Sequence, residues 1–177
     1  YLRNEQCLFG AKEGCAEGDC GACTIIIGEL RGSKVFYKAV NACILLLPYL
    51  DGKQILTVEH ISAGTLTSVQ SALVASHGSQ CGFCTPGIVM SLLASQINQC
   101  GSTRREVDDI LAGNLCRCTG YGPIIKAAQH ALKDCKPPDW SSDTEKIRLK
   151  LVEWHKCMLP LKISGLDINF FAPTRLS

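Results

Sequence analysis

The stretch Gly14-Cys15-Ala16-Glu17-Gly18-Asp19-Cys20-Gly21-Ala22-Cys23 puts three cysteines on one short loop, with four residues between the first two and two between the next. A fourth, Cys43, follows after nineteen more residues. Glycines between the thiols, with Gly10 just upstream, permit positive φ angles and let the backbone pass close to a bulky object. Outward from this loop, Thr24 to Gly28 (TIIIG) reads as a short strand and Val35-Phe36-Tyr37 as another. Gln54 to Val58, bounded by Asp51-Gly52, is a third. Short strands around a glycine-rich loop predict a small, mainly β unit over residues 1–64.

Past Gly64 the pattern becomes helical. Val69, Ala72, Leu73 and Ser76 lie at helical spacing and stop at His77-Gly78. A second helix opens at Thr85-Pro86, with Thr85 as N-cap and Pro at the first helical position, and carries the stripe Ile88, Val89, Leu92, Leu93, Ile97. Thr103-Arg104-Arg105-Glu106 is a capping-box pattern that starts a third helix with Val107, Ile110 and Leu111. The fourth begins near Pro123 and runs through Ile124, Ile125, Ala128 and Leu132. Together they predict a compact four-helix unit over 65–134. Residues 135–165 turn polar and read as a linker with one helical stretch, Thr144 to Trp154. Ile168-Asn169-Phe170-Phe171 is a strand-like start with nothing after it, so 166–177 reads as the opening of a further domain.

Composition narrows the class. At 177 residues, 46% apolar and 19% charged, the chain is a packed globular protein of one or two small domains and not a disordered one. A net charge of +2 gives no reason to expect nucleic acid or an anionic membrane as partner. The longest apolar run, Ala39 to Leu50, is too short for a membrane span and contains Asn41 and Pro48. Tyr1 to Gln6 has no apolar core, so no signal peptide opens the chain, and the absence of an initial Met suggests a processed chain or a fragment. The twelve cysteines are about 7% of the residues, several times ordinary usage. Secreted disulfides, zinc and iron–sulfur clusters are the three explanations. A substantial core and no signal peptide favour a reducing, cytoplasmic setting and argue against disulfides.

Cys15-x4-Cys20-x2-Cys23…Cys43 is the plant-type ferredoxin spacing for a [2Fe–2S] cluster. Three ligands on one loop wrap the cluster, a distant fourth closes it, and the loop's backbone N–H groups stabilise the reduced state. Zinc sites favour two separated Cys pairs. Cys81-x2-Cys84 and Cys116-x-Cys118 form a second set of four, for which a zinc ribbon is the plain alternative. The one-residue gap is tight for two ligands on one zinc but can supply two ligands to one side of a binuclear cluster. Cys84 and Cys118 each precede a helix start, where free N–H groups favour an anionic cluster. No His alternates with Cys in either set, which argues against a Rieske centre. Cys7, Cys100, Cys135 and Cys157 read as small hydrophobes or unreactive thiols. His60, His77, His130 and His155 fit no ligand or triad spacing, and no phosphate loop or nucleophile motif is present.

These residues carry a resemblance. Lys12 to Thr24 (KEGCAEGDCGACT) with Val40-Asn41-Ala42-Cys43 resembles the first iron–sulfur motif of the molybdenum hydroxylases. Gly78 to Gly87 (GSQCGFCTPG) and Gly113 to Tyr121 (GNLCRCTGY) resemble the second. The likeness covers residues 1–133 and implies an α+β chain: a β-grasp, ferredoxin-like domain followed by a four-helix domain, each with one [2Fe–2S] cluster. It implies electron flow from a molybdopterin on a large partner subunit, through the helical and then the ferredoxin-type cluster, to FAD and then to NAD. By motif position Gln80 resembles the residue that hydrogen-bonds the pterin, and Cys118 the ligand nearest it. The tail from Pro137 to Thr174 resembles the linker and opening strand of the FAD domain in the small subunit of bacterial xanthine dehydrogenases. Aldehyde and other N-heterocycle oxidoreductases are the alternative within the family, and a freestanding carrier or a zinc-stabilised interaction module the alternatives outside it.

Two departures stand out. The β-hairpin that usually opens the ferredoxin domain is missing before Tyr1, which leaves the β unit less covered than the helical one. Thr67-Ser68 stands where a His-Pro pair is common, with an altered helix start as the expected effect.

Overall fold

The computed structural model describes residues 1–61, 64–99, 101–133, 144–157, 160–165 and 169–172. Strands β1 (Thr24–Arg31), β2 (Lys34–Asn41) and β3 (Gln54–Leu56) form an antiparallel sheet in the order β2-β1-β3. β1 and β2 pair along their whole length, from Thr24 opposite Asn41 to Arg31 opposite Lys34. As the middle strand β1 is buried on both faces, so it reads Thr-Ile-Ile-Ile instead of alternating. Side chains of successive residues point to opposite faces. Ile26 accordingly joins the core shared with the helices, while Ile25 and Ile27 pack with Ala11 and are flanked by Leu2, Val40, Leu45 and Leu50.

Four helices follow: α1 (Ser68–Ala75), α2 (Thr85–Ile97), α3 (Arg104–Leu111) and α4 (Gly122–Lys133). At α3 the predicted capping box is closed in both directions, since Thr103 accepts from Glu106 N–H and the Glu106 carboxylate accepts from Thr103 N–H. The altered start of α1 builds the same device, with Thr67 as N-cap and Gln70 reaching back. At α2 the expectation needs correcting. Thr85 is the first helical residue and Cys84 holds the N-cap position without a side-chain bond. The Thr85 hydroxyl instead meets Ser79 Oγ at 2.8 Å.

The stripe read on α2 also understates it, because every residue from Gly87 to Gln96 is buried. α2 packs on β1 and β2 on one side and on α1, α3 and α4 on the others, which makes it the central element. Its buried polar groups tie it to its neighbours. Gln96 Nε2 donates to Ser68 Oγ (2.7 Å) and to the Ala131 carbonyl (3.2 Å), and Asn98 Nδ2 donates to the Tyr37 carbonyl (2.6 Å). One continuous core therefore runs from Ile26, Tyr37 and Leu56 of the sheet to Leu92, Ile124 and Leu132 of the helices.

The expected helix in the polar stretch is α5 (Thr144–Cys157), and it is no free linker, because it packs on β1 and β2 with Leu151 buried. The strand-like start also has a partner: β5 (Asn169–Ala172) pairs antiparallel with β4 (Leu161–Ser164). The Pro137-Pro138 stretch, Ile168 and the last five residues lie outside the described residues. No described helix is long and apolar enough to cross a membrane.

Candidate metal centres

The eight cysteines of the two predicted sets meet in twos. In the first set Cys15 hydrogen-bonds Cys20 and Cys43 hydrogen-bonds Cys23. In the second, Cys81 contacts Cys118, and Cys84 contacts Cys116. Cys116 and Cys118 thus each meet a cysteine of the other pair. Among the described residues no three His, Cys, Asp or Glu side chains converge as a lone metal ion requires.

The loop geometry charges particular sulfurs. Ala16 (φ +58) and Gly18 (φ +82) curl the chain so that Asp19 N–H and Cys20 N–H both point at Cys15 Sγ, each at 3.3 Å. Backbone donors from Cys20, Glu17 and Asp19, in that order, lower the Cys15 thiol to about 6. Burial, followed by the contact with Cys23, pushes Cys43 up. In the second set burial pushes Cys84 up to about 12, helped by the hydrogen bond to Cys116. Burial opposes charge at Cys116 too, but the Thr119 hydroxyl and backbone N–H groups of Thr119 and Cys118 outweigh it and lower that thiol. The Phe83 N–H, then Cys118, lowers Cys81, and the same contact raises Cys118. In the Cys81–Cys118 and Cys84–Cys116 couples one thiol is thus shifted down and its partner up. A metal held by such a couple would bind both sulfurs as thiolates. Four thiol couples in two sets fit two binuclear, thiolate-held iron–sulfur clusters.

The two cysteine loops are clasped together. Leu115 N–H donates to the Cys20 carbonyl at 3.0 Å. Asn114 is buried between the loops: its Oδ1 accepts from Ser91 Oγ (2.6 Å), and its Nδ2 donates to the Gly21 carbonyl (3.2 Å) and Thr24 Oγ1 (3.3 Å). Gly21 (φ +69) is required there, since a Cβ would collide with the Gly113 carbonyl oxygen. Asn114, Thr119 and Tyr121 lie within the Gly113–Tyr121 motif, whose spacing gives them no role. The signal available was a polar Asn between Gly113 and the Cys116-x-Cys118 pair.

The sets differ in exposure. Cys81, Cys118 and Gln80 are exposed, whereas Cys23 is buried and Cys15, Cys20, Cys43, Cys84 and Cys116 lie between. A hollow of about 350 Å³ is lined by Cys23, Cys43 and Leu47, and nearby in sequence Ile44, Leu46, Leu47 and Tyr49 are exposed. Cys7 and Cys157 are exposed surface thiols, not small core residues, and Cys100 and Cys135 lie outside the described residues. His60 Nδ1 lies 3.0 Å from Thr57 Oγ1, and His155 Nδ1 lies 2.7 Å from the Leu151 carbonyl.

Comparison with known proteins agrees with this geometry. The [2Fe-2S] binding domain family matches residues 57–129. Xanthine dehydrogenase of Emericella nidulans is 48% identical over 132 residues, which is 73% of this chain and 10% of that protein. Aldehyde oxidase 1 of Oryctolagus cuniculus is 45% identical over 141 residues, covering 76% of this chain and 11% of that protein. The chain thus spans about a tenth of the length of these curated relatives. In the solved structure of quinoline 2-oxidoreductase from Pseudomonas putida 86, a chain 35% identical superposes with a TM-score of 0.66, over 76% of this chain and 80% of that one. These relatives are oxidoreductases, and the matching segment is their iron–sulfur, electron-transferring part. At this identity and coverage the chain belongs to the [2Fe–2S]-binding family of the molybdenum hydroxylases.

Proposed function

We propose that the chain carries two [2Fe–2S] clusters, one on Cys15, Cys20, Cys23 and Cys43 and one on Cys81, Cys84, Cys116 and Cys118, with each iron held by one thiol couple. The meeting of the eight thiols in four couples carries this reading. Bound there, the clusters supply one-electron steps between a molybdopterin on a partner subunit or domain and an FAD on a downstream domain, with NAD as final acceptor, as part of a xanthine dehydrogenase.

The exposure of the chain's own residues supports that direction. Gln80, Cys81 and Cys118 stand exposed together in sequence or contact, which suits a pterin-bearing partner meeting the helical set, with Gln80 as hydrogen-bonding residue. Cys43 continues into the exposed apolar residues Ile44, Leu46 and Leu47, which suits the flavin-bearing domain. Residues 1–64 and 65–134 are the two cluster-holding units, 135–165 the connection, and 166–177 the opening of the FAD domain. An aldehyde or other N-heterocycle oxidoreductase is the second reading, favoured by the 45% identity to an aldehyde oxidase.

Anaerobic reconstitution tests the core of the proposal. Four irons and four sulfides per chain, with visible charge-transfer bands, are expected. A plateau at two irons, or a colourless protein with zinc in either set, defeats it.

A further inference from the structure

Around Cys116 three residues close a ring of hydrogen bonds. Cys116 N–H donates to the Tyr121 phenol oxygen at 2.8 Å. Tyr121 N–H donates to Thr119 Oγ1 at 3.1 Å. Thr119 Oγ1 in turn lies 3.2 Å from Cys116 Sγ. Tyr121 holds its place at φ +66, a region that bulky side chains rarely adopt, and it packs, partly buried, against the main core, as Cys84 and Cys116 do. Such strain persists where the surroundings fix it.

We propose that the Thr119 hydroxyl donates a hydrogen bond to Cys116 Sγ and thereby raises the reduction potential of the cluster held by the helical set. The inference rests on the cluster reading above. A ligating Cys116 is a thiolate with no proton to give, so the hydroxyl is the donor of this pair. The Tyr121 N–H occupies acceptor capacity on Thr119 Oγ1 and leaves the O–H turned toward sulfur. A hydrogen bond to a ligating sulfur stabilises the reduced, more negative state. Its effect is strengthened where the sulfur is partly withdrawn from water, as Cys116 is. In the ferredoxin-like set the donors to Cys15 Sγ are backbone N–H groups of Asp19 and Cys20. At Thr119 a side chain supplies the donor, so the potential of one cluster is open to a single substitution. Thr119 is a positioning and tuning residue, and no bond is made or broken at its oxygen.

The test is a potentiometric titration of the cluster-loaded full-length protein, followed by EPR. In Thr119→Val the helical-set cluster should become harder to reduce by about tenfold, a shift of about 59 mV to lower potential for one electron. Thr119→Ala should behave likewise, Thr119→Ser should titrate close to wild type, and the ferredoxin-like cluster should not move in any of them. A loaded Thr119→Val with the wild-type potential overturns the proposal, as does Thr119→Ser titrating with the valine variant. Failure of both hydroxyl-free variants to load, with the serine variant loaded, assigns Thr119 a purely structural role and also overturns it. A wild-type protein with only one cluster signal sinks the underlying cluster reading instead.

Discussion

Asn114 donates through Nδ2 to the carbonyl oxygen of Gly21 at 3.2 Å, joining two cysteine loops 93 residues apart in the chain. The same side chain satisfies the buried Ser91 hydroxyl and reaches Thr24 Oγ1. Asn114→Ala leaves buried polar groups without their partner, a loss of about 1–3 kcal/mol. The expected result is a lower denaturant midpoint, with both cluster signals lost in one transition because both loops hang on this residue. An unmoved midpoint shows that the clasp contributes nothing.

Gly87 carries a prediction of reversed sign. Replacing a helical glycine by alanine ordinarily stabilises a helix by about 0.5–1 kcal/mol. Here the added Cβ would collide with the Gly21 carbonyl oxygen, the acceptor that Asn114 uses. Overpacking of this kind costs about 1–3 kcal/mol, so Gly87→Ala should destabilise the chain. Thermal unfolding of the loaded protein decides the sign.

Cys118→Ser removes one thiol of the exposed Cys81–Cys118 couple. In the assembled enzyme the helical-set EPR signal should vanish while the ferredoxin-like signal persists. If the proposed order of centres holds, substrate should then reduce FAD far more slowly, and NADH, entering from the other end, should still reduce it. Stopped-flow reduction from each end separates this from a folding defect, which would impair both routes. Wild-type reduction by substrate without the helical cluster would show that the proposed order of centres is wrong.

Hydrogen exchange tests the sheet. The sequence predicts a β unit less protected than the helices, yet Ile25, Ile26 and Ile27 are each at most 1% exposed, as is Leu92. Their amides should exchange on the timescale of the α2 interior, with opening free energies near the global value. Exchange of β1 at least tenfold faster would restore the weaker-sheet expectation.

Local signals were legible where the physics is local. Thr103 and Glu106 are three residues apart, so their reciprocal cap can be read from the letters alone. The cysteine spacing groups eight thiols into the two proposed sets for the same reason. The misread features depend on distant partners. Thr85 looks like a cap until Ser79 takes its hydroxyl. The stripe on α2 looks amphipathic because its buried Ser91, Ser95 and Gln96 are polar, and only the surrounding elements show that all its faces are covered. The crossed pairing of Cys81 with Cys118 and Cys84 with Cys116 is a property of how two loops face each other, which spacing within each loop does not encode. Likewise β4 was invisible as a strand until β5 gave it a neighbour.

Ile26, Tyr37 and Leu56 sit in the same hydrophobic cluster as Leu92, Leu93 and Ile124, so the sheet and the helices wet or dry each other's surfaces together. A splice near residue 64 would cut through that cluster. Chimeras that borrow one half from a relative should succeed only when the residues facing α2 are borrowed as well. Over evolutionary time, volume changes on β1 should be answered by compensating changes on α2, which would make sheet and helices inherited as a single block.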